Sequence, residues 1–253
     1  MKHQINSNNY IDIHLKDNVL RPLVLIAPGG GYQRTSPREA MPIAEQFLNN
    51  GYHTAIIYYR ESLLMHEASI LELISFYQYL VENEDLPIKN RDIILVGFSS
   101  GGHYMAKLGV TYHQYGLKKP LAMILSYPVI TGKRAFAHND SILRLYGNKS
   151  AWSRKDFSLE LKVTDQTPST FLWHTVDDQA VPVENSELFY QALKKNHVIV
   201  DLHLYHKGVH GISLGTKAVI KEQTDDPVQY DLDNRHNQTW FSLVISFLNQ
   251  IQM

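Results

Sequence analysis

One short stretch, residues 93–103, limits the folds open to this chain more than any other part. An apolar run, Ile93 to Val96, is followed at once by Gly97-Phe98-Ser99-Ser100-Gly101-Gly102-His103. The run is typical of a buried central strand, and the small residues after it allow a sharp turn into a helix. Gly97 and Gly101 leave room for the strained backbone that such a turn gives to Ser99. The stretch predicts a nucleophile elbow, although an ordinary turn rich in small residues gives the same pattern.

Composition narrows the classes of partner and location. A formal net charge of -1 and an isoelectric point of about 6.9 argue against nucleic acid or an anionic membrane surface as partners, so small uncharged molecules fit better. The chain has no cysteine, which excludes disulfides and a cysteine nucleophile. Residues 1–15 lack the apolar core of a signal peptide, and no run approaches the ~20 residues of a membrane span. We therefore expect a cytoplasmic protein.

Short apolar runs alternate with longer amphipathic segments along the chain. The 253 residues, 44% of them hydrophobic, are enough for one large α/β domain spanning residues 1–253. This alternation predicts a mostly parallel sheet flanked by helices. The predicted strands are Ile11 to Leu15, Leu23 to Ala27, Thr54 to Tyr58, Ile93 to Val96, Ala122 to Ser126, Thr170 to Trp173 and Val198 to Leu204. The predicted helices are Ile70 to Glu82, Gly102 to Val110, Ser186 to Lys194 and Thr239 to Gln250, with another after Ala27.

The helix after Ala27 has the clearest start signal. Ser36 and Glu39 form a capping-box pattern, Pro37 suits the first turn, and Gly51 marks the stop.

Two polar segments, Thr131 to Gln166 and Thr216 to Asn237, show only weak periodicity. Such insertions are usually lids, binding loops or subunit contacts, and a solvated excursion without a role is the alternative.

A serine hydroxyl becomes a nucleophile at neutral pH only beside a base, normally a histidine oriented by a carboxylate. In one common chain order the acid and then the base follow the serine, on loops after later strands. Asp177 and Asp178 follow the strand Thr170 to Trp173, and the spacing alone leaves both open as the acid. His210 lies between glycines after the strand Val198 to Leu204, and this position makes it the predicted base.

Acyl transfer also needs backbone N–H groups that point at the developing oxyanion. Ala27-Pro28-Gly29-Gly30-Gly31-Tyr32 directly follows a strand, and Gly30, Gly31 and Ser100 are the predicted donors. A phosphate-binding turn is disfavoured because the chain has neither a Gly-Lys-Ser/Thr nor a Gly-x-Gly-x-x-Gly motif. A zinc site on His203, His206 and His210 is disfavoured because His203 falls within a strand pattern and no carboxylate has zinc-motif spacing. We read His103 as a packing or capping residue.

Taken together, these residues resemble the small α/β-hydrolase carboxylesterases related to acetyl xylan esterases and bacterial feruloyl-esterase-like proteins. The resemblance spans nearly the whole chain. It rests on Pro28-Gly29-Gly30-Gly31-Tyr32, Tyr58-Tyr59-Arg60, Gly97-Phe98-Ser99-Ser100-Gly101-Gly102-His103, Ser126-Tyr127-Pro128, His174-Thr175-Val176-Asp177-Asp178-Gln179-Ala180-Val181-Pro182 and Gly208-Val209-His210-Gly211. In that family two residues separate the catalytic aspartate from a Val-Pro pair, and this spacing selects Asp178.

The resemblance implies an α/β-hydrolase fold with a small lid-like insertion at residues 131–166. It also implies a serine carboxylesterase that needs no cofactor or metal and hydrolyses short acyl esters, especially acetyl esters, of small molecules such as acetylated sugars. The implied site residues are the catalytic Ser99, Asp178 and His210, the oxyanion donors Gly30, Gly31 and Ser100, and Tyr32 against the substrate.

The chain departs from the family pattern in two ways, and the second affects the expected substrate. Relatives commonly have histidine where this chain has Pro28, which indicates a differently braced oxyanion loop. The expected cytoplasmic location argues against polymeric xylan as the substrate.

The rival interpretations are a small serine peptidase of the oligopeptidase type and a non-catalytic ligand-binding protein with the same fold. A homo-oligomer is expected because small hydrolases without a full cap often complete their pocket with a neighbouring subunit.

Overall fold

The computed structural model of the protein describes residues 1–220 and 226–252. The strands are β1 Lys2–Gln4, β2 Tyr10–His14, β3 Arg21–Ala27, β4 His53–Tyr58, β5 Ile88–Phe98, β6 Ala122–Ser126, β7 Ser169–Thr175 and β8 Val200–Tyr205. The α-helices are α1 Met41–Asn49, α2 His66–Glu82, α3 Ser100–Thr111, α4 Asn139–Tyr146, α5 Ala151–Phe157, α6 Glu184–Lys195, α7 Pro227–Asn234 and α8 Trp240–Ile251. Short 3₁₀ helices cover Pro37–Glu39, Tyr112–Tyr115, Leu159–Leu161, Lys217–Val219 and Asn237–Thr239.

The strands of the described residues form one sheet in the order β1-β2-β4-β3-β5-β6-β7-β8. β1 and β2 pair antiparallel at one edge, and every pairing from β4 to β8 is parallel. The carboxyl ends of the parallel strands therefore meet at one edge of the sheet, where open α/β sheets bind their ligands. The predicted α/β-hydrolase fold is confirmed.

Helices cover both faces of the sheet, and the strand residues show why. Leu23 and Leu25 of β3 pack into one apolar core with α2, α3 and α6, whereas Val24 and Ile26 pack into a second core with α1 and α8. Both faces of a parallel strand are buried in such a layered fold, which explains the continuous apolar runs in the sequence. No helix in the described part of the chain is long and apolar enough to cross a membrane.

The predicted strands and most predicted helices are confirmed, with ends that shift by a few residues. The exception among the strands is β1, which the sequence analysis missed because three polar residues show no apolar alternation. The prediction for the helix after Ala27 is wrong at its start. Ser36 makes no capping hydrogen bond, Pro37–Glu39 forms a separate 3₁₀ turn, and α1 begins only at Met41.

The two polar segments also contain helices. Residues 131–166 leave the sheet between β6 and β7 and form α4, α5 and a 3₁₀ turn. Two side-chain caps define these helices, since His138 and Ser150 accept backbone N–H groups at the starts of α4 and α5. Segment 216–237 contains α7, and its residues 221–225 lie outside the described residues.

Candidate active site

Ser99 lies at the tip of the turn from β5 into α3. Its backbone has φ 53° and ψ -119°, a conformation that a non-glycine residue rarely adopts. A Cβ atom at Gly101 would lie 2.1 Å from the carbonyl oxygen of Ala27, and one at Gly97 would lie 2.4 Å from that of Gly101. The glycines therefore allow the turn to pack directly against β3, and the structure has the elbow geometry that the sequence predicts.

The structure brings Ser99, His210 and Asp178 together in one hydrogen-bonded chain. The Oγ of Ser99 is 2.8 Å from Nε2 of His210, and Nδ1 of His210 is 2.6 Å from Oδ2 of Asp178. Because a carboxylate only accepts, Nδ1 of His210 carries the proton and Nε2 is free to accept the Ser99 hydroxyl proton. The side chain of Asp178 is fully buried, whereas that of His210 is 20% exposed.

Four hydrogen-bonding groups hold the Asp178 carboxylate in place. Its Oδ1 accepts the backbone N–H groups of Ala180 and Val181, each at 2.9 Å. Its Oδ2 faces His210 and also lies 3.3 Å from Nε2 of His174. Burial raises the pKa of Asp178, but the hydrogen bonds from His174 and His210 outweigh it and bring that pKa below its ordinary value. Asp178 is therefore a carboxylate at any pH at which the protein would work.

His174 is a site residue whose role the sequence does not predict. Its ring is completely buried, with Nδ1 2.8 Å from the hydroxyl of Ser186 and Nε2 3.0 Å from the carbonyl of Val181. Since the Val181 carbonyl only accepts, Nε2 carries the proton and also faces Asp178. His174 thus ties β7 to the turn that holds the acid.

Asp177, the alternative acid, has a different partner. Its Oδ1 accepts the backbone N–H of Gly208 at 2.7 Å, on the loop that carries His210. Its side chain is exposed and forms no hydrogen bond with the imidazole of His210. Asp177 therefore braces the histidine loop, while Asp178 contacts the histidine itself.

The glycine loop after β3 lies beside Ser99. Gly30 and Gly31 have φ angles of 137° and 64°, and both line the same cavity as Ser99 and His210. The Gly30 carbonyl accepts the N–H groups of Gln33 and Arg34. The N–H groups of Gly30 and Gly31 donate to no residue that the structure describes, and the N–H of Ser100 is a first-turn helix donor. These three groups remain available to a ligand.

Glu39 has a buried carboxylate that contacts the glycine loop. The sequence did not predict this role, because the spacing of Ser36 and Glu39 indicates a capping box. Glu39 Oε2 accepts the N–H of Gly29 at 2.8 Å, and its Oε1 accepts the hydroxyl of Tyr127 at 2.6 Å. The Tyr127 oxygen in turn accepts the N–H of Ser213, and its ring packs edge-on to His210 at 5.2 Å. Glu39 therefore connects the glycine loop with the ring against which His210 packs.

Tyr32, which the sequence predicts to lie against the substrate, lines a neighbouring cavity and not the one at Ser99. Its side chain is fully buried, and its hydroxyl is 2.8 Å from Nδ1 of His103. The other ring nitrogen of His103 lies 3.0 Å from the carbonyl of Phe157 at the end of α5. His103 is a packing residue, as expected, and it also links the glycine loop to the inserted segment.

The insertion supplies one wall of the cavity above Ser99. The cavity has a volume of about 390 Å³, and α4 contributes Asp140 and Arg144 to its lining. His138, the capping residue of α4, lines it as well. In the described residues no group of histidine and acidic side chains is placed to hold a metal ion.

Comparisons with known proteins agree with this fold. A family model described as BD-FAE matches residues 11–193. The chain is 32% identical over 213 residues to endo-1,4-beta-xylanase B of Butyrivibrio fibrisolvens, a match that covers 78% of this chain. It covers 33% of that relative, so the chain spans about a third of the relative's length.

Two crystal structures match nearly the whole chain. An acetyl ester-xyloside bifunctional hydrolase from Caldicellulosiruptor lactoaceticus is 28% identical with a TM-score of 0.82, covering 96% of this chain and 88% of that chain. A sugar hydrolase from Lactococcus lactis is 27% identical with a TM-score of 0.81, covering 99% of this chain and 97% of that chain.

Proposed function

The chain belongs to the BD-FAE family of α/β-hydrolase esterases, and we propose that it is a serine carboxylesterase acting on short acyl esters of small molecules. The observation that carries the proposal is the hydrogen-bonded chain from Ser99 through His210 to Asp178, with separations of 2.8 and 2.6 Å. Its order and polarity are those required to remove a proton from a serine hydroxyl.

In the proposed reaction Ser99 Oγ attacks the ester carbonyl carbon while its proton passes to Nε2 of His210. The resulting oxyanion accepts hydrogen bonds from the N–H groups of Gly30, Gly31 and Ser100. The bond to the alcohol then breaks, and His210 returns the proton to the departing oxygen. Water, deprotonated by the same histidine, attacks the acyl-enzyme and releases the acid and free Ser99. Asp178 remains ionised and stabilises the imidazolium at both steps.

The proposed substrates are acetylated sugars or comparable small polar esters. The cavity at Ser99, with a volume of about 390 Å³, matches a ligand of that size and carries polar side chains from several elements. The similar proteins support the same class, since one is described as an acetyl ester-xyloside hydrolase and another as a sugar hydrolase. The cytoplasmic location and the homo-oligomer remain predictions from the sequence.

The test is hydrolysis of a p-nitrophenyl ester series from acetate to octanoate, with an acetylated xylo-oligosaccharide and an aminoacyl p-nitroanilide alongside. We expect turnover of the short acyl esters, because the cavity is small and polar. Ser99→Ala should lower kcat by roughly 10⁴-fold or more while leaving the fold intact. Ser242→Ala, an exposed serine on α8, is the matched control and should not change turnover.

Two results would contradict the proposal. Cleavage of the anilide alone would favour a peptidase. A wild-type protein that retains an ester ligand without hydrolysing it would favour a binding protein.

A further inference from the structure

The cavity above Ser99 carries an unusual set of side chains for a site expected to bind uncharged esters. Arg34, Arg38 and Arg144 all line it, from the glycine loop, the 3₁₀ turn and α4. Each guanidinium presents five N–H donors and no acceptor. The lining is therefore rich in donors that a ligand can satisfy.

Arg34 and Arg144 retain most of their hydrogen-bonding capacity. The side chain of Arg34 makes no hydrogen bond or ion pair with any residue in 1–220 or 226–252, and it is exposed. One nitrogen of Arg144 donates to the Gly31 carbonyl at 3.0 Å, which places its guanidinium next to the predicted oxyanion loop. The remaining N–H groups of Arg144 need other acceptors.

The two acidic residues in the lining leave this capacity unfilled. Both oxygens of Glu39 are buried and already accept the Gly29 N–H and the Tyr127 hydroxyl. Asp140 is 67% exposed, and its closer oxygen is 4.0 Å from Arg144. An exposed pair at that separation contributes little and is easily displaced by a ligand.

His138 adds a neutral donor to the same cavity. Its Nδ1 accepts the backbone N–H of Ser141 at 3.3 Å, so the proton of the neutral ring lies on Nε2. Burial lowers the pKa of His138, with a smaller contribution in the same direction from His210, so the ring is uncharged near neutral pH. The histidine thus complements the guanidinium groups without adding a titrating charge.

A second cavity, about 310 Å³ in volume, shares Gln33 and Arg144 with the first and extends to Arg60. The Nε atom of Arg60 is buried without a hydrogen-bond partner in the described residues. One terminal nitrogen of Arg60 donates to the Leu64 carbonyl at 3.2 Å, and no carboxylate from those residues forms an ion pair with Arg60. One further guanidinium, that of Arg60, therefore lines the cavity next to Arg144.

We infer that the substrate is an ester whose alcohol part carries an anionic group, a carboxylate or a phosphate, bound by Arg144 and Arg34; an acetylated sugar acid is one example. This inference rests on the proposed esterase function and narrows its substrate class. It differs from the expectation of uncharged partners, because net charge does not report how charges are distributed around one cavity. The alcohol part is assigned because the departing oxygen must lie at Nε2 of His210, which lines the cavity with these arginines.

The test compares aryl acetates that carry either an anionic or a neutral group at the same ring position. The anionic probes are 3-acetoxybenzoate and 3-acetoxyphenyl phosphate, and the neutral isostere is 3-acetoxybenzamide. We expect kcat/KM to be about tenfold or more higher for at least one anionic probe, as a charge-assisted hydrogen bond provides. The two probes distinguish a carboxylate from a phosphate site. The preference should fall as salt is raised, because the Debye length shrinks from about 10 Å at 0.1 M to about 3 Å at 1 M.

Single substitutions test whether Arg34 and Arg144 cause the preference for anionic probes. Arg34→Gln and Arg144→Gln should each lower the ratio of anionic to neutral kcat/KM by at least about threefold. Lys119→Gln removes the same charge from the exposed loop before β6, at the opposite edge of the sheet, and should leave the ratio unchanged.

The outcomes separate this inference from the function on which it rests. Equal hydrolysis of all three acetates, or a preference for the amide, overturns the anionic substrate while leaving the esterase in place. A preference that survives both arginine substitutions overturns the assigned residues. No hydrolysis of any acetate overturns the esterase proposal itself.

Discussion

Two carboxylates organise two regions of this protein, and they are held in different ways. Asp178, at the carboxyl edge of the sheet, takes two backbone N–H groups from its own turn and faces two histidines. Asp156, in the inserted segment 131–166, accepts hydrogen bonds only from side chains among the residues that the structure describes. These side chains are His66 of α2, Lys107 of α3, Tyr146 of α4 and Lys162, which directly follows the 3₁₀ turn after α5.

The two carboxylates differ in role: Asp178 positions the histidine of the proposed reaction, and Asp156 attaches the inserted segment to the rest of the fold. Asp178 is fixed mainly by residues within four positions in the chain, so its geometry follows from one local turn. Asp156 gathers groups up to 90 residues away and holds the insertion against the body of the protein. We expect substitutions at the first carboxylate to change rate and those at the second to change stability.

The largest expected effect comes from the two adjacent acids at the sheet edge. Asp178→Asn should lower kcat/KM for p-nitrophenyl acetate by about 10⁴-fold, because an amide no longer holds His210 in the required tautomer. Asp177→Asn should cost less than about tenfold, since its amide oxygen still accepts the Gly208 N–H. Steady-state kinetics on both variants make the comparison. The reverse order of losses would assign the acid to Asp177.

Glu39→Gln should have an intermediate effect at the glycine loop. The carboxylate serves two donors, Gly29 and Tyr127, whereas an amide offers one oxygen acceptor. We expect kcat to fall about tenfold with little change in KM, less than the 10²- to 10³-fold loss of a direct oxyanion donor. Glu45→Gln on the exposed face of α1 is the control. A rise in KM alone would show that Glu39 supports substrate binding instead.

Asp156→Asn should leave the rate almost unchanged and lower stability. Removing this charge leaves the ammonium groups of Lys107 and Lys162 without their shared counter-ion, and we expect the free energy of unfolding to fall by about 1–3 kcal/mol. Asp165→Asn, an exposed acid in the same segment, should change it by less than about 0.5 kcal/mol. Urea unfolding monitored by tryptophan fluorescence measures both. A large loss of kcat without loss of stability would place Asp156 in the reaction chemistry.

The same variant has a defined pH dependence. Burial raises the pKa of Asp156, but hydrogen bonds from Lys162 and Tyr146 and the charge of Lys107 outweigh it, so that pKa is lowered on folding. The stabilisation is therefore present above the ordinary carboxyl pKa of about 4 and is lost as the pH falls below it. The difference in unfolding free energy between wild type and Asp156→Asn should shrink as the pH falls from about 5 to about 2. A difference that stays constant would show that the charge of Asp156 is not what stabilises the insertion.

Local signals explain what the sequence analysis predicted correctly. The elbow at Ser99 depends on glycines within two residues of it, and the buried strands depend on apolar runs of four to seven residues. His210 was found from a short glycine-flanked loop after the last strand. The fold and the approach of Ser99 and His210 to each other follow from these signals, whereas the choice of Asp178 over Asp177 came from the resemblance to known esterases.

Contacts between distant segments explain what was missed. Glu39 fits a capping box by spacing, yet its carboxylate turns inward because Tyr127, 88 residues later, provides a buried donor. Tyr32 was expected at the substrate, and a hydrogen bond to His103 draws it into the core. Arg144 reaches the glycine loop only because α4 folds over it. None of these partners can be read from neighbouring residues in the chain.

The bridge from Tyr32 through His103 to the Phe157 carbonyl has a consequence for divergence within the family. The inserted segment shapes the cavity wall, so a new specificity would most directly arise by exchanging that segment. The exchange would also remove the carbonyl that anchors His103, and His103 anchors the loop carrying Gly30 and Gly31. Specificity and turnover are therefore coupled through one backbone oxygen. A grafted insertion must reproduce the position of residue 157 if the recipient is to keep its rate.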